Sequence, residues 1–181
     1  GDVLQIMGDA TLPGGRANNF TGVTLGGFES SASANSLIIT GATMDQAAHK
    51  DRVNYKTAAS PFAPRNAFVA IVNPANTIAK PVTVNTLTHY AYSGNKGADL
   101  TKLVKIDDNR FLVVWSEMNC WANYAAWDET NQTGTLGYVF VDARGNTLGS
   151  VRSMAGYLSE CDPVLFGDKV VWYTEDMNGG S

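Results

Sequence analysis

Residues 102–117 read KLVKIDDNRFLVVWSE and carry the clearest structural signal in the chain. Two apolar stretches flank an Asp-Asp-Asn sequence, and the second stretch, from Phe111 to Trp115, contains no polar residue. A short, uninterrupted apolar run rich in β-branched and aromatic residues is typical of a strand that is covered on both faces. The segment therefore predicts a β-hairpin at the centre of packed sheets.

The same arrangement recurs towards the other end of the chain. DPVLFGDKVVWYTED (162–176) aligns with residues 102–117 when about three turn residues are removed, and Trp172 then matches Trp115. Each copy has a strand, an Asp-containing turn and a strand that ends in Trp. A weaker copy, VTLGGFESSASANSLIITGATMDQ (23–46), has a strand, a turn of small residues and a strand in the same order.

A second pair of segments also aligns. AFVAIVNPANTI (67–78) matches GYVFVDARGNTL (137–148) without a gap, and each is predicted as a strand followed by a tight polar turn. Gly145 and Asn146 tolerate the positive φ that a hairpin turn requires, whereas Pro74 fixes φ in the other copy. Together the alignments indicate a degenerate internal repeat.

Strands are expected to carry the whole fold, because no stretch shows sustained helical periodicity. Six segments are short, rich in β-branched or aromatic residues and bounded by Gly, Pro, Asn or Asp. They are Leu37–Thr40, Ala67–Val72, Val82–Leu87, Phe111–Trp115, Tyr138–Val141 and Val170–Tyr173. The predicted class is all-β, with antiparallel four-stranded repeats.

The repeat divides the chain into three predicted segments. Residues 1–65 form a first repeat with a long insertion, 66–127 a second with an aromatic loop, and 128–181 a third, shorter copy. The residues beyond those needed for a regular four-stranded unit lie in 41–66 and 116–136, where loops are expected to project from one face. A two-sheet β-sandwich is the alternative arrangement of the same strands.

Composition and charge argue against two classes of partner. The 181 residues carry a net charge of −4, and the Lys and Arg residues are scattered, whereas nucleic-acid binding requires a basic face. No stretch approaches the roughly 20 apolar residues of a membrane span. We therefore expect neither a nucleic-acid partner nor membrane insertion.

The repeat resembles the β-propeller modules of large secreted or cell-surface bacterial proteins. The likeness rests on LGGFESSASANSLIITG (25–41), KLVKIDDNRFLVVWSE, VDARGNTLG (141–149) and CDPVLFGDKVVWYTED (161–176). It implies an extracellular location and a β-propeller-like fold. Closed propellers have four to eight blades, whereas this chain holds about three, so the resemblance also implies an incomplete ring, a fragment of a longer protein, or a completing partner chain.

The candidate ligand-binding residues lie in NCWANYAAWDETNQTG (119–134), where three large aromatic residues recur at intervals of three. Aromatic rings stack on the apolar faces of sugars, while nearby carboxylates and amides bind sugar hydroxyls. The alternative is that the rings cover strand edges. The predicted site residues are Trp121, Tyr124 and Trp127, supported by Asn123 and Asp128.

Cysteines and acidic residues give weaker signals. Cys120 and Cys161 can form at most one disulfide, which would join neighbouring strand groups, and two free thiols are the alternative. Acidic residues recur at equivalent repeat positions, which favours roles in turns over a calcium site, and no EF-hand-type loop is present. No metal or cofactor is therefore assigned.

The sequence predicts a binding or interaction module and not an enzyme, because it holds no complete catalytic motif. The expected ligand is a polysaccharide or other glycan, with a protein partner as the second choice and self-association through exposed strand edges as a further expectation. A glycoside hydrolase is the rival class, and its acids would come from Glu117, Asp128, Glu129 or Asp162. A third possible class is a structural spacer or subunit.

Overall fold

The computed structural model describes residues 24–44, 65–76, 82–90, 96–119 and 132–174. These ranges contain strands and no helix. The strands are β1 (Thr24–Ser31), β2 (Ser36–Met44), β3 (Arg65–Val72), β4 (Thr83–Thr86), β5 (Lys96–Asp107), β6 (Arg110–Asn119), β7 (Gln132–Val141), β8 (Arg152–Ala155), β9 (Val164–Phe166) and β10 (Lys169–Val171). The all-β class predicted from the sequence is confirmed.

Each sheet is a simple antiparallel meander. Strands β1 to β4 form one four-stranded sheet in chain order, strands β5 to β8 form a second, and β9 pairs with β10 in a two-stranded hairpin. Within the described residues, none of the three sheets closes on itself. Each of the six predicted strands overlaps an observed one, namely β2, β3, β4, β6, β7 and β10.

The two four-stranded sheets pack face to face around one apolar core. Ile38 and Val69 of the first sheet belong to the same buried cluster as Leu103, Val113 and Val139 of the second. Strand β5 is the part of the second sheet that lies against β1, β2 and β3. This contact is shared by a sandwich and by neighbouring propeller blades, so it is consistent with both arrangements.

The run from Phe111 to Trp115 is buried along its whole length, since every residue in it is at most 8% exposed. The predicted covering of both faces is therefore confirmed. Trp115 lies across Gly137 of β7, where a Cβ atom would overlap the indole ring, so the neighbouring strand needs a glycine at this position. The indole nitrogen also faces the Tyr90 hydroxyl at 3.4 Å.

The segments that align in sequence occupy matching positions in the sheets. Residues 67–72 lie in β3 and residues 137–141 in β7, and each of these is the third strand of its sheet. Likewise, residues 102–117 span the hairpin β5–β6, and residues 162–176 include β9–β10. The weaker copy contains β1–β2.

The sheets group the strands differently from the predicted segments. Residues 66–127 contain most of β3, all of β4 and the hairpin β5–β6, so this segment ends one sheet and begins the next. The predicted boundaries at residues 65 and 127 lie where one sequence repeat ends and the next begins. This division of the chain stays a prediction.

The chain around β9–β10 packs on the outer face of the second sheet. Leu158 joins Val114 and Leu136 in a small buried cluster, and Trp172 packs against it. The indole nitrogen of Trp172 donates a hydrogen bond to the Tyr157 carbonyl at 2.9 Å. Trp172 thus lies directly after β10 and is only partly buried, in contrast to Trp115.

A buried lysine also attaches this region to the second sheet. The side chain of Lys102 on β5 is only 7% exposed, and its Nζ lies 3.0 Å from Asp162 Oδ1. The same ammonium group donates to the Glu160 carbonyl at 2.6 Å. Because a buried charge needs a partner, these contacts fix the chain that leads into β9.

Candidate binding cleft at the turn edge

All five predicted ligand-binding residues lie outside the described residues, and so does Cys120. These five are Trp121, Asn123, Tyr124, Trp127 and Asp128. The aromatic site stays a prediction. What the structure gives is its attachment: the segment follows β6 at Asn119 and precedes β7 at Gln132.

Those strand ends lie at the edge of the sheets that carries the long connections, here called the long-connection edge. Residues 45–64 join β2 to β3, and residues 120–131 join β6 to β7. At this edge Arg65 Nη1 lies 2.5 Å from Asp99 Oδ2, which links the start of β3 to β5. The predicted insertions at 41–66 and 116–136 therefore begin and end at one common edge.

Two of the four acids proposed for a glycoside hydrolase are described, and these two have different surroundings. Glu117 on β6 accepts hydrogen bonds from Lys96 Nζ at 2.7 Å and Thr133 Oγ1 at 3.1 Å. This carboxylate raises the pKa of Lys96. Asp162 is 77% exposed and pairs with Lys102, while Asp128 and Glu129 lie outside the described residues.

The opposite edge, here called the turn edge, contains a cleft of about 660 Å³. Four connections from both four-stranded sheets form it: those between β1 and β2, β3 and β4, β5 and β6, and β7 and β8. Its lining residues are Ser33, Ala34, Ser36, Ile71, Asn73, Thr83, Asn109, Asp142, Ala143 and Arg144.

The two aligned polar turns each place residues in this cleft. In the turn after β3, Asn76 N donates to Asn73 O at 2.9 Å, with Pro74 at the second position. In the turn after β7, Gly145 N donates to Asp142 O at 2.9 Å. Gly145 has φ +82°, so the positive φ expected at this residue is confirmed, whereas Asn146 does not adopt a positive φ.

Asp142 organises the turn after β7 with its side chain. Its Oδ1 accepts hydrogen bonds from the backbone nitrogens of Arg144 at 2.8 Å and Asn146 at 2.9 Å. Partial burial raises the pKa of this carboxyl group, but the hydrogen bonds from Asn146 and Arg144 outweigh that effect and leave the pKa below its ordinary value. Asp142 is therefore a carboxylate at neutral pH.

Asp108 lies in the turn between β5 and β6 of the second sheet, and its carboxylate contacts the first sheet. Its carboxylate accepts hydrogen bonds from Ala32 N at 3.0 Å and Ser33 N at 2.6 Å, in the turn between β1 and β2. Lys105 Nζ lies 2.9 Å from the same carboxylate. Hydrogen bonds from Ser33, Lys105 and the backbone hold the pKa of Asp108 well below its ordinary value.

Two further hydrogen bonds join the sheets beside the cleft. Asn85 Nδ2 of β4 donates to the Gly145 carbonyl at 3.0 Å, and Ser36 Oγ donates to the Ala143 carbonyl at 3.1 Å. Together with Asp108, they link the turns after β1, β5 and β7 to one another and to strand β4. A cleft with walls held in this way is preorganised for a ligand.

Several polar groups of the lining remain available to a ligand. Arg144 is exposed, and its guanidinium group makes no ion pair within the part of the chain that the structure describes. Thr83 and Asn109 are also exposed, and the described residues give their side chains no hydrogen bond. The cleft can therefore donate hydrogen bonds to a ligand rich in hydroxyl groups and accept hydrogen bonds from it.

Sequence reasoning did not identify this cleft. It correctly assigned Asp107 and Asn109 to a turn, where Asn109 N donates to Asp107 Oδ1 at 2.9 Å. The turn-forming role of this acidic cluster is confirmed. The signal that could have indicated the cleft is the recurrence of Asn and Asp in the aligned turns after β3 and β7.

Metal and disulfide chemistry receive no support from the described residues. None of their His, Cys, Asp and Glu side chains form a group of three or more that could hold a metal ion. Cys161 is exposed and forms no disulfide with a described residue; since Cys120 is not described, their pairing stays a prediction. Within the same ranges, no helix has the length and apolar character needed to span a membrane.

Comparisons with protein-family models, curated proteins and solved structures found no match to this chain.

Proposed function

We propose that this chain is a β-propeller-like binding module of a secreted or cell-surface protein, that it is not an enzyme, and that its ligand is a glycan. A protein partner is the second candidate. The module holds about three blades.

The order of strands supports the blade architecture. Two consecutive four-stranded meanders pack face to face, and the hairpin β9–β10 follows on the outer face of the second. Segments that align in sequence take the same strand position in their sheets. A propeller is built by such stacking of four-stranded antiparallel units.

The cleft at the turn edge is the observation that carries the binding function. Turns from both sheets bring hydroxyl, amide, carboxylate and guanidinium groups to one concave surface. Saccharides present many hydroxyl groups, which need donors and acceptors of this kind when they leave water. The described lining of the cleft contains no aromatic residue. The predicted aromatic residues 121–127 are attached at the long-connection edge and would form a separate stacking surface for sugars.

Glycan binding can be tested on an array of polysaccharides and oligosaccharides. We expect the wild-type chain to bind at least one glycan. The double variant Asn109→Ala/Arg144→Ala should weaken that binding on the order of tenfold, because about 1.4 kcal/mol of hydrogen bonding is lost. Trp121→Ala/Trp127→Ala tests the aromatic contribution separately.

Arg152→Ala is the matched control, since Arg152 is an exposed arginine on β8 that does not line the cleft. Absence of wild-type binding to every glycan would remove the glycan as ligand. Binding that neither double variant changes would place the ligand elsewhere. Release of reducing sugar from a bound polysaccharide, lost on Glu117→Gln, would instead make the chain an enzyme.

A further inference from the structure

Half of the exposed large apolar side chains in the described residues belong to one part of the molecule. On and beside the hairpin β9–β10, Phe166 is 77% exposed, Tyr173 63% and Val164 56%. Leu165 and Val171 are also exposed. A cluster of this kind marks an interaction surface in a soluble domain.

The hairpin also has an unpaired strand edge. The outer edge of β6 pairs with β7, whereas β10 pairs only with β9 among the described strands. Gly167 and Asp168 form a two-residue turn, so the flanking pair Phe166 and Lys169 is the hydrogen-bonded pair. The next pair, Leu165 and Val170, is then a non-hydrogen-bonded pair. The N–H and C=O groups of Val170 therefore point away from β9.

A two-stranded hairpin of three-residue strands is marginally stable by itself. Both other sheets have four strands, and the sequence of β9–β10 aligns with that of β5–β6. In the second sheet, β5–β6 is completed by β7–β8, which cover Gln132–Val141 and Arg152–Ala155. The occupant that fits β10 is therefore a strand pair of the same pattern.

We propose that the edge of β10 that is unpaired among the described strands binds two antiparallel strands of a separate polypeptide whose sequence pattern is that of β7–β8. The backbone of Val170 supplies the first hydrogen bonds, and the exposed side chains of Val171 and Tyr173, on and directly after β10, pack against the incoming strands. This inference rests on the proposed blade architecture and not on the glycan ligand.

The pairing of β7–β8 within each copy favours a separate polypeptide over a second copy of this chain. The β7–β8 strands of each copy are already paired with β6 in their own sheet. The hairpin also continues an existing interface, because Trp172 packs on the cluster that Val114 and Leu136 form on the second sheet. Incoming strands would extend this same interface between sheets.

The probe is a fluorescent synthetic peptide of residues 132–155, titrated with the full chain and followed by anisotropy. We expect saturable binding that Val170→Pro weakens by about tenfold or more, since proline removes the outward N–H and blocks the edge. Leu165→Pro is the matched control, because Leu165 is the partner of Val170 on the opposite edge of the hairpin. It should leave peptide affinity unchanged.

Hydrogen exchange of the wild-type chain gives a readout that does not depend on a proline variant folding. Saturating peptide should slow exchange of the Val170 amide and leave the β5–β6 amides unchanged. Lack of peptide binding, or equal weakening by both proline variants, would overturn the proposal. Concentration-dependent dimers that protect Val170 without peptide would assign the edge to a second copy. Glycan binding by the Val170→Pro variant is measured on the same array as the wild type. Its result tests the proposed function independently of peptide binding at β10.

Discussion

Asp108 connects two sheets through a single side chain. Its backbone belongs to the turn between β5 and β6, while its carboxylate accepts from Ser33 N, a residue 75 positions earlier in the chain. The backbone also takes part, since Ser31 Oγ donates to the Asp108 carbonyl at 2.7 Å. Neutralising this carboxylate should therefore loosen the turn edge.

Asp108→Asn should lower the free energy of unfolding at pH 7. The folded state depresses the pKa of Asp108, so the carboxylate stabilises the fold above the unfolded pKa of about 3.9. That contribution is lost as the pH falls through the folded pKa. The difference between wild type and variant should therefore shrink as the pH falls below about 4, as measured by urea denaturation at a series of pH values.

Asp168→Asn is the control for this experiment. Asp168 is exposed in the turn between β9 and β10, and the described residues give its carboxylate no hydrogen bond. Its replacement should leave the urea midpoint at pH 7 nearly unchanged. Equal midpoints for wild type and Asp108→Asn at pH 7 would show that the hydrogen bonds across the sheets do not stabilise the fold.

The strands differ in how completely they are supported. Residues of β6 from Phe111 to Trp115 are buried between neighbours on both edges and both faces. The hairpin β9–β10 exposes most of its side chains and has one strand pairing. Local opening is easiest where few apolar contacts hold a strand.

Hydrogen exchange should separate these two hairpins. We expect the amides of β9–β10 to exchange faster than those of β5–β6 by about two orders of magnitude or more, which corresponds to roughly 3 kcal/mol of local stability. The measurement is exchange followed by mass spectrometry of peptides that cover residues 102–117 and 162–174. Equal protection of the two hairpins would contradict the marginal stability of β9–β10.

The elements that the sequence predicted are those with a strong apolar pattern. Strands β2, β3, β6 and β7 contain uninterrupted apolar runs, because each lies inside a sheet. Strand β8, with the sequence RSMA, is exposed at all four positions, so it lacks both alternation and an apolar run. Its pairing with β7 comes from the backbone ladder, which leaves no mark on the side-chain pattern.

The recurrence of Asn and Asp indicates two of the turns at the cleft, but the cleft itself could not be predicted, for a related reason. Its lining comes from four turns between Ser33 and Arg144, and their proximity depends on how the sheets stack. The contact from Asp108 to Ser33 likewise requires the relative position of both sheets. The aromatic cluster at 121–127 was conspicuous because its residues are adjacent in sequence, and it remains untested.

At the scale of the whole molecule, the two four-stranded sheets share one core and should unfold together. Gly145 tests this coupling, because a Cβ atom there would lie 2.9 Å from Ile71 Cγ1 and 3.0 Å from Asn85 Nδ2 of the first sheet. Gly145 also has a positive φ, which is costly for other residues.

Gly145→Ala should lower the free energy of unfolding by about 2 to 4 kcal/mol, from backbone strain and overpacking together. Gly167→Ala is the matched control, since Gly167 has φ +64° but nothing within 4 Å of an added Cβ. It should cost about 1 to 2 kcal/mol. The measurement is urea denaturation followed by both tryptophan fluorescence and circular dichroism.

Coincident transitions from the two probes would show that the sheets unfold as one unit. A Gly145→Ala variant that loses no more stability than Gly167→Ala would show that the contact between the turn after β7 and the first sheet is loose. Two separate transitions would show that each sheet is stable without the other.

The opposite placement of tight turns and long connections has a practical consequence for protein engineering. Hydrogen bonds between sheets at Asp108, Asn85 and Ser36 hold the strands in register from the turn edge. The segments 45–64 and 120–131 are attached at the other edge, so their replacement leaves those bonds in place. Foreign peptide sequences grafted there would be displayed side by side on a rigid base, which makes the chain a candidate scaffold for presenting paired loops.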